Sequence, residues 1–152
     1  MIVIGYQGIG KSTLSTAKNQ CIDLESGNFW VGGKRSDDWY VPYCNIAIHL
    51  SKQGYTVFVS SHQVVRDELA KYKNEEKIYC VFPAIDMKDK WINKLYRRWR
   101  DTSLDKDYKA LANAQDRYKE NISELMLSPF KFIEITDLNY DLASIIDTLK
   151  QM

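Results

Sequence analysis

Gly5, Gly8, Gly10, Lys11 and Ser12 stand close together near the start of the chain, at a spacing suited to holding a row of phosphates. The string GYQGIGKS, Gly5 to Ser12, fits G-x-x-x-x-G-K-[ST], the phosphate-binding loop pattern. In such a turn successive backbone N–H groups face inward, and glycine lets the main chain approach phosphate oxygens closely. Lys11 would reach the outer phosphates of a triphosphate such as ATP. The Ser12 hydroxyl would sit on Mg²⁺, with Thr13 as a second hydroxyl in reach. The four fixed positions arise by chance in roughly half a percent of chains this long. A strand before the turn and a helix after it would make the match more specific still.

Other groups could complete a transfer site. DLES, Asp23 to Ser26, ends a short apolar run, and Asp23 and Glu25 share a face if that run is extended. A carboxylate there could support the Mg²⁺ water shell or accept a proton. Ser26 and Asn28 could donate to an acceptor. Downstream, VSSHQVVRDEL carries Arg66 four residues beyond His62, on one side of the helix beginning there. A cation so placed could grip an acceptor phosphate. His62 reads as a hydrogen-bonding residue at a strand end. In DKWINKLYRRWRDT, Asp89 to Thr102, the side chains Trp91, Ile92, Leu95, Tyr96 and Trp99 cover an arc of about 140°. Arg97 lies opposite, and Arg98 and Arg100 flank the arc. An aromatic-anchored helix presenting arginines suits a lid over phosphates, with Arg97 and then Arg100 as the first choices. In FWVGGKRSDDW, Phe29 to Trp39, paired glycines suggest a loop at the mouth of the site. Lys34 and Arg35 are candidate acceptor-phosphate contacts there, and Trp30 or Trp39 could stack on a base or, equally, pack against the sheet edge.

The elements that must position these residues alternate. Strands are expected at Ile2–Ile4, Gln20–Leu24, Tyr55–Val59, Ile78–Phe82 and Phe130–Ile135. Helices are expected at Ser12–Asn19, Val41–Gln53, Val64–Lys73, Asp89–Thr102, Asp105–Leu127 and Tyr140–Leu149. This order predicts an α/β fold: a five-stranded parallel sheet in three layers, with helices on both faces and a helical lid. Right-handed crossovers then set the glycine turn at the carboxyl edge of the sheet. The long helix Asp105–Leu127 carries an apolar stripe (Tyr108, Leu111, Ala112, Ile122, Leu125), read as core packing, with a homodimer surface as the alternative.

A chain of 152 residues suggests one domain, with residues 29–53 as an acceptor region and residues 86–104 as the lid region. A net charge of +1 gives no general pull toward membranes or long nucleic acids. The apolar runs are too short for a membrane span, and the amino terminus does not read as a secretory signal, so a cytoplasmic location is expected. Cys21, Cys44 and Cys80 form no C-x-x-C pair and read as buried free thiols rather than zinc ligands.

Together these segments resemble the small P-loop kinases of nucleotides and metabolites, over most of the chain. Gly5 to Ser12 matches the family phosphate loop. Asp23 and Glu25 resemble the acidic pair of shikimate-kinase-like members, and SSHQVVRDEL the strand-three end of gluconate-kinase-like members. FPAIDMKDKWINKLYRRW, Phe82 to Trp99, is similar to a stretch of phage-type deoxynucleoside monophosphate kinases, where a proline-ended strand leads into a lid helix. Two family features are missing: the Asp of a Walker B strand, whose place is taken by Ser60, Ser61 and His62, and the Asp-Gly-Phe-Pro-Arg element of adenylate-type kinases. The resemblance implies a virus-encoded kinase that transfers the ATP γ-phosphoryl group to a nucleoside monophosphate, expected to be a deoxynucleotide. Lys11 and Arg97 or Arg100 would serve the transfer, Ser12 and Asp23 would hold Mg²⁺, and Arg66 would grip the acceptor. Alternatives are transfer to a hydroxyl on a sugar, modified base or nucleic-acid end, with Asp23 or Glu25 as base, a nucleotide-gated binding protein, and a P-loop domain without catalysis.

Overall fold

The computed structural model describes residues 1–152. Five strands form one all-parallel sheet: β1 (Ile2–Gly5), β2 (Cys21–Asp23), β3 (Thr56–Val59), β4 (Ile78–Pro83) and β5 (Lys131–Ile135), in the order β2-β3-β1-β4-β5. Six helices connect or follow them: α1 (Lys11–Ala17), α2 (Tyr40–Lys52), α3 (Gln63–Ala70), α4 (Lys88–Thr102), α5 (Asp105–Leu127) and α6 (Leu142–Lys150). The expected sequence of elements is present, with boundaries shifted by at most three residues and α5 unshifted.

The three inner strands β3, β1 and β4 are buried along their whole length. Parallel strands covered on both faces need apolar residues at every position, which is why they read as unbroken runs. The edge strand β5 differs, beginning with exposed Lys131 and Phe132. The helices α1 and α6 share one face, where Leu14 and Ile146 line one crevice. The helices α2, α3 and α5 cover the other. There Cys44 Sγ lies 3.8 Å from the Val65 carbonyl, and Arg66 reaches Glu124. The architecture is consistent with a three-layer α/β fold. All three cysteines are buried free thiols. No helix is long and apolar enough to cross a membrane.

The strand order creates the crevice. The chain leaves β1 toward the α1 face and leaves both neighbours, β3 and β4, toward the opposite face. Diverging connections open a cleft beyond the carboxyl ends of the strands, the usual ligand position in open α/β sheets.

Three local features depart from the sequence reading. The second strand stops at Asp23, and Ser26–Phe29 form a 3₁₀ turn, so Glu25 is not a strand residue. In the loop that follows, Val31 and Lys34 pair as a tiny hairpin across Gly32 and Gly33. The helix α5 breaks at Arg117, whose φ of −135° and ψ of 21° are not helical.

Candidate active site

The turn from Tyr6 to Gly10 joins β1 to α1, and its backbone is held from one side. Trp91 of α4 donates its indole N–H to the Gln7 carbonyl at 2.9 Å. The Tyr140 hydroxyl donates to the Ile9 carbonyl at 2.6 Å, with the Gly8 carbonyl 3.5 Å away. Lys94 donates in turn to the Tyr140 oxygen at 2.8 Å and lies over the Trp91 ring. Gly8 has a φ of +87°, and a Cβ there would stand 2.8 Å from Leu95 Cδ2, so a side chain at this position would be strained and would displace Leu95 of α4.

Latched carbonyls fix the amides. Every peptide bond here is trans, so each N–H points away from the carbonyl it is bonded to. With the carbonyls of Gln7, Gly8 and Ile9 turned toward Trp91 and Tyr140, the N–H groups of Gly8, Ile9 and Gly10 face the opposite way. The amides of all seven residues from Gln7 to Thr13 have no acceptor within the chain, although Gly8 and Ile9 are buried. Unpaired buried amides are rare in folded proteins. A concave run of them is the geometry of an anion site.

Lys11 lies beneath this run. Its ammonium donates to the Gly5 carbonyl at 3.2 Å, and a Cβ on Gly5 would meet Ile9 Cδ1 at 2.6 Å and the Lys11 stem at 3.0 Å. Burial pushes its pKa below the usual lysine value, partly opposed by the carboxylates of Asp23 and Glu25. Asp23 is shifted the other way. Burial raises its pKa, Lys11 draws it down, and Glu25 raises it again.

Three cavities meet around the turn. A central one of about 240 Å³ is lined by Gly8, Gly10, Lys11, Ser12, Asp23 and Arg98, with Glu25, Ser26 and Asp107 at its walls. A second, of about 590 Å³, opens past Ser12 and Thr13 toward Leu138, Leu142, Lys94 and Arg98, and more than half of its lining residues are apolar. A third, of about 610 Å³, lies toward α3 and α5, and only Ala110 and Leu125 among its lining residues are hydrophobic. Lys11 and Ser26 are shared between the central cavity and this third one.

Most of the residues singled out from the sequence come together here. Gly5, Gly8, Gly10, Lys11, Ser12, Thr13, Asp23, Glu25, Ser26 and Arg66 all line one or more of these cavities. Arg66 is 9% exposed. It donates from Nε to the Ser61 carbonyl at 3.1 Å and pairs with Glu124 at 3.0 Å. His62 is half of a strand-end pair, its Nδ1 2.8 Å from Ser60 Oγ, and burial lowers its pKa, with Arg35 acting in the same direction.

Arg97, Arg100, Asn28, Trp30, Lys34, Arg35 and Trp39 line none of these cavities. Arg97 is exposed and lines none of these cavities, because the side of α4 opposite its aromatic arc faces solvent. Arg100 pairs with Asp101 at the surface, 3.4 Å away. The arginine that α4 delivers to the turn is Arg98, which lines two cavities and is held by buried Asp107 at 3.1 Å. Asn28 is turned outward by the 3₁₀ segment and is exposed. In the loop, Arg35 stacks 3.8 Å over the Trp39 ring, and Trp39 is buried against Tyr43 and His62. Trp39 is therefore a packing residue.

The sequence reading missed the wall built by α5. Lys106, Lys109, Asn113, Arg117 and Asn121 line the polar cavity. They recur every three or four residues beside the buried stripe Leu111, Ala114, Tyr118, Ile122 and Leu125. Gln7 is tied to this wall, donating to the Ala110 carbonyl at 3.0 Å and to Asn113 Oδ1 at 3.1 Å.

No model of a known protein family matches the chain, and a search of curated proteins finds no match to it. Its chemistry has to be argued from the site itself.

Proposed function

We propose that this chain is a P-loop kinase that transfers the γ-phosphoryl group of ATP to a nucleoside monophosphate. The observation that carries the reading is the row of seven unpartnered amides, Gln7 to Thr13, with Lys11 in the same turn and lining both the central cavity and a second, polar one. The amides and Lys11 bind the β- and γ-phosphates, and the less polar cavity beyond Thr13 takes the nucleoside. The polar cavity takes the acceptor, with buried Arg66 directed at its phosphate. A deoxynucleotide acceptor is supported by the likeness of Phe82 to Trp99 to phage-type kinases.

Mg²⁺ fits the donor set. The central cavity offers the Ser12 hydroxyl and Asp23 but no cluster of three metal-ligating side chains. That suits a cation which keeps several waters and takes its other oxygens from phosphates. Ser12 and Asp23 would hold the cation, which would supply positive charge near the transferring group. Arg98, on α4 as a lid, adds a cation at the same place and helps to exclude water. A phosphate acceptor is already nucleophilic at neutral pH, so the side chains bind and align, and positioning carries the rate.

One observation favours a second reading. Asp23 lines the central cavity beside Lys11 and Ser12, and burial raises its pKa above the usual carboxylate value, which suits a base for transfer to a hydroxyl. Labelled ATP offered with free nucleotides, sugars and oligonucleotides separates the two. Nucleoside diphosphate products support the first reading, and phosphorylated sugars or oligonucleotide ends support the second. A Lys11→Ala variant with undiminished turnover would overturn both.

A further inference from the structure

Two guanidinium groups converge on one carboxylate in the polar cavity. Arg66 Nη2 lies 3.0 Å from one Glu124 oxygen, and Arg117 Nη2 lies 3.5 Å from the other. Arg66 is fixed from behind by the Ser61 carbonyl. Lys11, Lys106 and Lys109 line the same cavity, and Glu124 is the one carboxylate among its lining residues. A carboxylate bridging two arginines presents the two-oxygen edge that a phosphate monoester offers to such a fork. It carries less charge than the dianion it resembles. The Glu124 side chain is 43% exposed, so it can swing toward solvent with its own charge hydrated, while the incoming phosphate takes its place on buried Arg66. The break in α5 falls at Arg117, seven residues before Glu124 on the same helix.

We propose that Glu124 is an internal substitute for the acceptor's phosphate. It keeps Arg66 and Arg117 in place for the acceptor and yields to a phosphate dianion. A neutral hydroxyl cannot displace it, so Glu124 selects acceptors that already carry phosphate. This rests on the kinase reading and narrows it to phosphate-bearing acceptors.

The test is calorimetric titration of the full chain with a deoxynucleoside monophosphate, its parent deoxynucleoside and inorganic phosphate. Glu124→Gln removes the competing charge. It is expected to tighten the monophosphate and inorganic phosphate about two- to five-fold, the scale of a partly exposed ion pair. The parent deoxynucleoside should not respond, and the melting temperature should fall because Arg66 loses its counter-charge. Arg117→Gln, at a more exposed position, should weaken both phosphate ligands by a similar factor in a folded protein. Unchanged or weaker phosphate binding in Glu124→Gln overturns the proposal, as does equal tightening of the deoxynucleoside. Mg-ATP titrated into the same proteins reports on the amide turn separately. If Mg-ATP binds and Glu124→Gln leaves the phosphate ligands unaffected, this inference falls alone. If Mg-ATP does not bind, the kinase reading falls with it.

Discussion

The indole N–H of Trp91 and the carbonyl of Gln7 are 2.9 Å apart, across 84 residues of sequence. This bond and that of Tyr140 to Ile9 set the direction in which the turn aims its amides. Trp91 is fully buried, so the bond is shielded from competing water.

Trp91→Phe should therefore loosen the turn more than it unfolds the protein. Loss of one neutral hydrogen bond costs about 1 kcal/mol. Mg-ATP affinity should drop by roughly five- to ten-fold while urea unfolding stays cooperative. Calorimetry and circular dichroism on the same sample check this. Unchanged affinity would show that the bond does not orient the amides.

The arginines of α4 should separate cleanly. Arg98 lines the central cavity, whereas Arg97 faces solvent and Arg100 pairs with Asp101 at the surface. Arg98→Ala should lower kcat by about 10²- to 10³-fold, the usual scale for removing a group that stabilises transition-state charge. Arg97→Ala and Arg100→Ala should stay within about two-fold of the parent, as exposed surface changes usually do. Steady-state kinetics of the three variants decide it.

Two lysines at the site should make ATP binding and stability depend on pH in opposite senses. Burial lowers the pKa of Lys11, and burial with nearby Arg98 lowers that of Lys94 to about 8. Between that depressed value and the ordinary lysine value of about 10.4, the unfolded chain holds more protons than the folded one. The contribution of Lys94 to stability therefore rises as pH climbs from about 8. A polyphosphate favours the protonated amines, so its affinity falls over the same interval. Lys94→Met should flatten part of both slopes. Urea unfolding and Mg-ATP titration from pH 7 to 10 on both proteins provide the comparison.

What was legible in the sequence had local causes. Inner parallel strands must be apolar throughout, so Ile2–Ile4 and Ile78–Phe82 stood out as runs, and the glycine turn is a contiguous string. What stayed hidden depends on distant packing. The aromatic arc of α4 predicted a buried face, but which flank meets the turn is fixed by Trp91 and Leu95 docking on Gln7 and Gly8. Arg98 could not be separated from Arg97 or Arg100 without that contact. Tyr140 reaches back 131 residues to Ile9, and no local pattern announces it. The cavity wall on α5 was detectable in principle. Lys106, Lys109, Asn113, Arg117 and Asn121 form a polar row at helical spacing, but an unpartnered polar row looks the same as a solvated one.

The most direct test of the account is an amide-resolved NMR titration of the isotope-labelled protein with Mg-ATP. The backbone N–H signals of Gln7 to Thr13 should move together, with shifts saturating at a single dissociation constant, and Lys11→Ala should abolish the effect. If those seven signals stay in place while the nucleotide binds elsewhere, or if no signal in the protein responds, the turn is not a phosphate site and the account is contradicted.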